Sequence, residues 1–279
     1  MDSQALASVI DIHAHSGPDS ISRQMDAIDL ARLCLQYGMR GIVLKNHFEP
    51  TASLASIVRK VVPGIAVFGG ITLNLAVGGM NAAAVERMAL VGGGLGRLVW
   101  MGSVDTEAQR RFESSPAKCV SVSRDGKLLP DAREVLEVIA RYRLVLATGH
   151  STPDEALLLI REGLAVGVRE IVVTHAMMAP VHMTHSQMKE AAFLGAFIEF
   201  SYNGLIGPHK EFDIAHYSEA IREIGASRCI LSSDLGQAVN PPHPEGLLAF
   251  FRGLEVNGLT IAEIDQMSRQ NPARLLKLN

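Results

Sequence analysis

Short runs dense in Val, Ile and Leu alternate along this chain with stretches whose apolar residues recur every three or four positions. The runs fall at Val9–His15, Gly41–His47, Ile65–Leu73, Arg97–Ser103, Leu144–His150, Glu170–His175, Phe197–Asn203 and Cys229–Asp234. Continuous apolar runs of this kind fit strands covered on both faces, which is the habit of parallel sheets. The segments between them carry helix-start signals. Thr152-Pro153-Asp154-Glu155 joins a Thr N-cap to Pro at the first helical position and an acid three residues after the cap. Asp131…Glu134 and Thr260…Glu263 repeat that pattern, and Thr184…Gln187 repeats it ahead of a helix expected to end at Gly195. Eight strands alternating with helices predict a parallel α/β sheet. Strand counting leaves open whether it is doubly wound or closed into a barrel.

One stretch breaks the rhythm. Ser103–Pro130 contains Lys118–Ser123, the turn dipeptide Asp125-Gly126 and Lys127-Leu128-Leu129, which predicts a small hairpin inserted between the fourth strand and its helix. Such an insertion either shapes a pocket at the rim or makes an oligomer contact. No linker, repeat or low-complexity segment divides the chain. Residues 1–279 are therefore expected to form one domain, a length that suits a (β/α)₈ barrel.

Composition narrows the classes of partner. The net charge is -3 and no Lys/Arg stripe is present, which argues against nucleic acid or an anionic membrane. The opening MDSQALASVIDIHAH lacks a basic leader followed by an apolar stretch, so no signal peptide is expected, and no apolar run is long enough to span a bilayer. Cys34, Cys119 and Cys229 are odd in number and far apart, and are expected to be reduced thiols in the core. These features together predict a cytoplasmic protein acting on a small molecule.

The ten histidines are unevenly placed. His13 and His15 close the first run, His47 the second, His150 the fifth and His175 the sixth, while Asp234 closes the eighth. Strand residues two apart face the same side, so His13 and His15 point together. Side by side in a buried mouth, two imidazoles repel when protonated, and a divalent cation relieves this by accepting their lone pairs. A His-rich set with one carboxylate suits Zn²⁺ best, with Mn²⁺, Fe²⁺ or Co²⁺ as lesser candidates. Each residue alone has a plainer reading, such as a core His bonded to a carbonyl or Asp234 capping a turn. The set carries the argument.

Asp11-Ile12-His13-Ala14-His15 on strand one, His150, His175 and Asp234, with the tail Asn271-Pro272-Ala273-Arg274-Leu275-Leu276, resemble the amidohydrolase superfamily over residues 9 to 276. The resemblance implies a (β/α)₈ TIM barrel and a metal-dependent hydrolase that attacks an amide, cyclic amide, ester or lactone with a metal-activated water. It implies that His13, His15 and Asp234 hold the more buried ion and that Asp234 takes the water's proton. His150 and His175 would hold a second ion or orient the substrate. A nonoxidative decarboxylase, a phosphoesterase and a metal-binding barrel without turnover are the alternatives, and a homo-oligomer is compatible with any of them.

One feature departs from that pattern. Strand four, Leu98-Val99-Trp100-Met101-Gly102-Ser103, lacks the Lys or Glu that usually bridges two metals. Lys45 on strand two faces the same side as His47 and is a candidate carboxylated bridge. Its other reading is a lysine paired with Asp234 or with a substrate anion. Candidate substrate contacts are His47, His182, Tyr202, Asn203, Gln237 and His243. Asp19 and Arg23 could meet an acidic substrate, though a solvated loop pair is the plainer expectation.

Overall fold

The structure is a computed structural model that describes residues 3–278; residues 1, 2 and 279, the outer limits of the expected domain, lie outside the described residues. Eight strands form one sheet: β1 (Ile10–His15), β2 (Gly41–Lys45), β3 (Ala66–Thr72), β4 (Gly96–Trp100), β5 (Val145–Ala147), β6 (Glu170–Val173), β7 (Phe197–Ser201) and β8 (Cys229–Ser232). They pair in chain order and all in parallel. The seam between β8 and β1 closes just past β8, where Asp234 N donates to His13 O at 2.9 Å and His15 N to Leu235 O at 2.9 Å. Helices separate every pair of strands. The sheet is therefore a (β/α)₈ barrel, and the doubly wound alternative falls.

Burial follows the pattern that predicted the strands. All six residues of β1 are buried. Ile10, Ile12 and Ala14 alternate with Asp11, His13 and His15, so one side of the strand is apolar and the other polar. Each fully buried Val, Leu or Ile contributes about 1.5–3 kcal/mol, which is why such strands tolerate a few costly polar residues in the barrel. Trp100 ends β4 almost fully buried. It needs Gly70 beside it on β3, where a Cβ would come within 2.6 Å of Trp100 Cζ3 and 2.4 Å of Leu98 O.

Every predicted strand exists, but most end sooner than expected. After β2, Asn46 Oδ1 accepts from Phe48 N at 2.7 Å and Glu49 N at 3.1 Å, so the chain turns before His47. Past β6 and β8, His175 (φ 25°) and Asp234 (φ 51°) have left-handed backbones that no strand sustains. Gly149 (φ 63°) turns the chain after β5 where a Cβ would sit 2.0 Å from Gly102 O. These turns lie at the carboxyl ends of the strands, where barrels keep their chemistry.

Capping boxes form at Thr152, Thr184 and Thr260 as expected. Asp131 does not cap: the helix Pro130–Tyr142 starts two residues earlier than expected, with Leu129 as N-cap, because Pro130 fixes the first helical φ. The hairpin is present but short, Ser123–Arg124 against Lys127–Leu128, turning on Asp125 and Gly126 with φ 51° and 71°. Cys34 and Cys229 are buried free thiols, whereas Cys119, in the arm leading to the hairpin, is exposed and is no core thiol. The Asn271 amide donates to Ala226 O at 2.8 Å and Cys229 O at 2.7 Å, so the tail motif pins the last helix to the start of β8. No helix among the described residues is long and apolar enough to cross a membrane.

Candidate metal centre

Six strands send polar groups toward one end of the barrel. β1 supplies His13 and His15, β2 Lys45 and β7 Glu199; the turns after β5, β6 and β8 supply His150, His175 and Asp234. His13 is fully buried, and His15, Lys45, His175 and Asp234 are nearly so. His13 Nε2 lies 3.0 Å and His15 Nε2 3.1 Å from the same atom, Asp234 Oδ1. Each of the three residues offers one ligand atom, and these atoms lie within 4.8 Å of one another.

The tautomer of His13 follows from its neighbours. His13 Nδ1 is 3.0 Å from Glu199 Oε1, and an ionised carboxylate only accepts, so Nδ1 carries the proton. In the neutral ring, Nε2 then presents a lone pair to Asp234 Oδ1, another acceptor. Lys45 Nζ stands 2.8 Å from the same nitrogen and donates to that lone pair, whereas in the protonated ring Nε2 donates to Asp234 Oδ1. A carboxylate holding the far nitrogen is the usual partner of a metal-binding His. His15 Nδ1 and His175 Nδ1 are buried without a hydrogen-bond partner among the described residues. His175 Nε2 and His150 Nε2 face each other at 3.1 Å. The donor set fits a divalent cation.

Protonation states agree. Burial pushes His15 down to about 3 and His175 to about 4, and it holds His47 and His150 well below the usual imidazole value. Burial opposes ionisation of Asp234 and Glu199, but the charge of His13 overcomes it, holding Asp234 well below the carboxylate range and Glu199 at about 2. Burial lowers Lys45 to about 8 despite the attraction of Asp234 and Glu199. Burial would also strip charge from His13, yet Asp234 and Glu199 outweigh it and lift the ring to about 9. That proton is what a metal would displace, since ligands bind in their deprotonated forms.

The remaining expected residues divide. His47 stacks on His15 with ring centroids 4.8 Å apart and its Nδ1 is 2.8 Å from Ser103 Oγ. Asn203 Nδ2 donates to Asp234 Oδ2 at 3.3 Å, and Gln237 Nε2 to Asp234 O at 2.9 Å. His243 is fully buried at the start of the helix His243–Val256, where burial depresses it to about 4. Tyr202 packs against Phe250 with centroids 5.7 Å apart. His182 is half-exposed and bound to Glu211, away from the cluster. A cleft of about 780 Å³ lies beside the rim, between the hairpin and the helix Pro153–Ala165, and contains none of these residues.

Sequence reasoning missed Glu199. It accepts from His175 N at 2.8 Å and Ser232 Oγ at 2.7 Å as well as from His13, and so ties three strand ends together. The available signal was an acid in the middle of Phe197-Ile198-Glu199-Phe200-Ser201, since Glu is almost never fully buried unless paired.

Solved structures share this architecture. An amidohydrolase from Pseudomonas aeruginosa superposes with a TM-score of 0.68 at 13% identity, covering 99% of this chain and 97% of that one. An organophosphorus hydrolase from Deinococcus radiodurans gives 0.59 at 16% identity over 99% and 94%. A 2,6-dihydroxybenzoate decarboxylase from Rhizobium gives 0.56 at 13% identity over 98% and 99%. The expected likeness to the amidohydrolase superfamily is thus met at the level of the barrel. No curated protein sequence matches the chain. A family described as "Family of unknown function (DUF6282)" matches residues 8–199, from just before β1 into β7, so Asp234 lies beyond the matched segment.

Proposed function

This chain belongs to the family of unknown function DUF6282, and we propose that it is a metal-dependent hydrolase cleaving an amide, cyclic amide, ester or lactone bond of a small molecule. One observation supports the reading above the others: His13 Nε2 and His15 Nε2 converge on a single oxygen, Asp234 Oδ1, at 3.0 and 3.1 Å in the buried mouth of the barrel, with Glu199 holding the far nitrogen of His13. His13, His15 and Asp234 would hold the ion, and His150 with His175 a second one. A divalent cation there, Zn²⁺ before Mn²⁺, Fe²⁺ or Co²⁺, would supply Lewis acidity and lower the pKa of water to about 7.

The chain's own groups do the rest. Asp234 is the proton acceptor. Its carboxylate is held ionised by His13 and His15, and Asn203 anchors Oδ2. Lys45 would serve as a carboxylated bridge if two ions were bound, and would pair with Asp234 or with a substrate anion if one were. His175, held through its backbone by Glu199, orients the substrate when one ion is present. His47 and Gln237 flank the position a substrate would take.

The test is turnover of a panel of lactones, esters and cyclic amides by the zinc-loaded protein and by Asp234→Asn. A general base contributes typically 10²–10⁴-fold, so the variant is expected to keep zinc and lose at least about 100-fold in kcat. Undiminished turnover in Asp234→Asn would remove it as the base. Release of CO₂ from carboxylic acids, with no hydrolysis in the panel, would make the barrel a decarboxylase instead.

A further inference from the structure

The loop leaving β1 runs beside the loop that carries Asp234. Gln24 N donates to Gly236 O at 3.0 Å and the Gln24 side chain to Asn240 O at 2.7 Å, while Arg23 and Gln237 form an antiparallel bridge. Arg23 and Asp19 sit within this double layer, their side chains only 4% and 0% exposed, with Arg23 Nε 2.8 Å from Asp19 Oδ2. The expectation of a solvated surface pair is wrong. Asp19 satisfies Nε, but Arg23 Nη2 is buried with no hydrogen-bond partner among the described residues. Leaving a buried guanidinium N–H without an acceptor is costly, so the position calls for an oxygen that the chain does not supply. Gln237, the bridge partner of Arg23, donates its side-chain N–H to Asp234 O at 2.9 Å, so the Arg23 loop packs against the segment that carries a metal-site residue.

We propose that Arg23 is a substrate-anchoring residue, whose Nη2 binds a carboxylate oxygen of the substrate beside the metal-site histidines, so that the enzyme acts on a small carboxylate-bearing molecule. The hydrolase reading above supplies only the bond that is cleaved; the anchor itself does not depend on it. A monoanion suits the position better than phosphate. Asp19 already neutralises most of the Arg23 charge, and Arg23 offers a single buried free nitrogen rather than the cluster of cations that a dianion requires. Asp19 holds Nε and thereby aims the guanidinium plane, a role that a lysine ammonium could not replace.

The experiment is calorimetric titration of the zinc-loaded full chain with acetate, propionate and benzoate, each beside its uncharged primary amide, and with inorganic phosphate. At least one carboxylate is expected to bind about 10-fold or more tightly than its amide. Arg23→Met and Arg23→Lys are expected to weaken that carboxylate about 10–100-fold, the size of a charge-assisted hydrogen bond, with zinc content and circular dichroism unchanged. Binding equal to wild type in both folded variants would overturn the proposal. So would a panel in which no carboxylate is preferred to its amide, or in which phosphate is the only anion whose binding depends on Arg23. Should Arg23-dependent carboxylate binding coexist with no hydrolysis of any ester, lactone or amide, the anchor stands and the hydrolase reading falls.

Discussion

His13 has both ring nitrogens committed, one to Glu199 and one toward Asp234, and so fixes where a cation would sit. The paired His13 and His15 were legible from their spacing, because strand alternation alone puts them on one side. Glu199 was not, because nothing local says which buried acid meets which imidazole across 186 positions of sequence. Its proposed role is to hold the tautomer of His13. Glu199→Gln keeps the shape but no longer requires a proton on Nδ1, and is expected to weaken zinc affinity about 10–100-fold in a competition titration, the usual effect of removing such a partner. Affinity equal to wild type would reduce Glu199 to a strut between strands.

Elements were legible where their signals are short-range. The capping boxes at Thr152, Thr184 and Thr260 need only residues three apart, and all three form. Asp131 carried a similar sequence signal, but Pro130 moved the helix start and left the acid in the first turn. The two cases should separate in urea unfolding. Thr152→Ala is expected to cost about 1 kcal/mol, and Asp131→Ala a few tenths through the helix dipole alone. Equal losses would contradict the assigned N-caps. Strand ends were overextended for a related reason: the turn at Asn46 and the left-handed backbones of His175 and Asp234 depend on side-chain and tertiary contacts that apolar patterning does not record.

At the scale of the whole molecule, alternation of strand and helix gave the parallel sheet but not its closure. The barrel closes through the backbone pairing of His13 and His15 with Asp234 and Leu235, and three of these four, His13, His15 and Asp234, form the candidate metal cluster, so the seam and the candidate site share their contacts. That coupling makes the metal centre the point on which the account turns. The direct measurement is the zinc content of protein purified after zinc-supplemented expression, for wild type and for His13→Ala combined with His15→Ala. The wild type is expected to hold about one to two equivalents and the double variant under about a tenth, with unchanged helical circular dichroism. Less than about half an equivalent in the wild type, or full zinc in the folded double variant, would contradict the metal-site assignment.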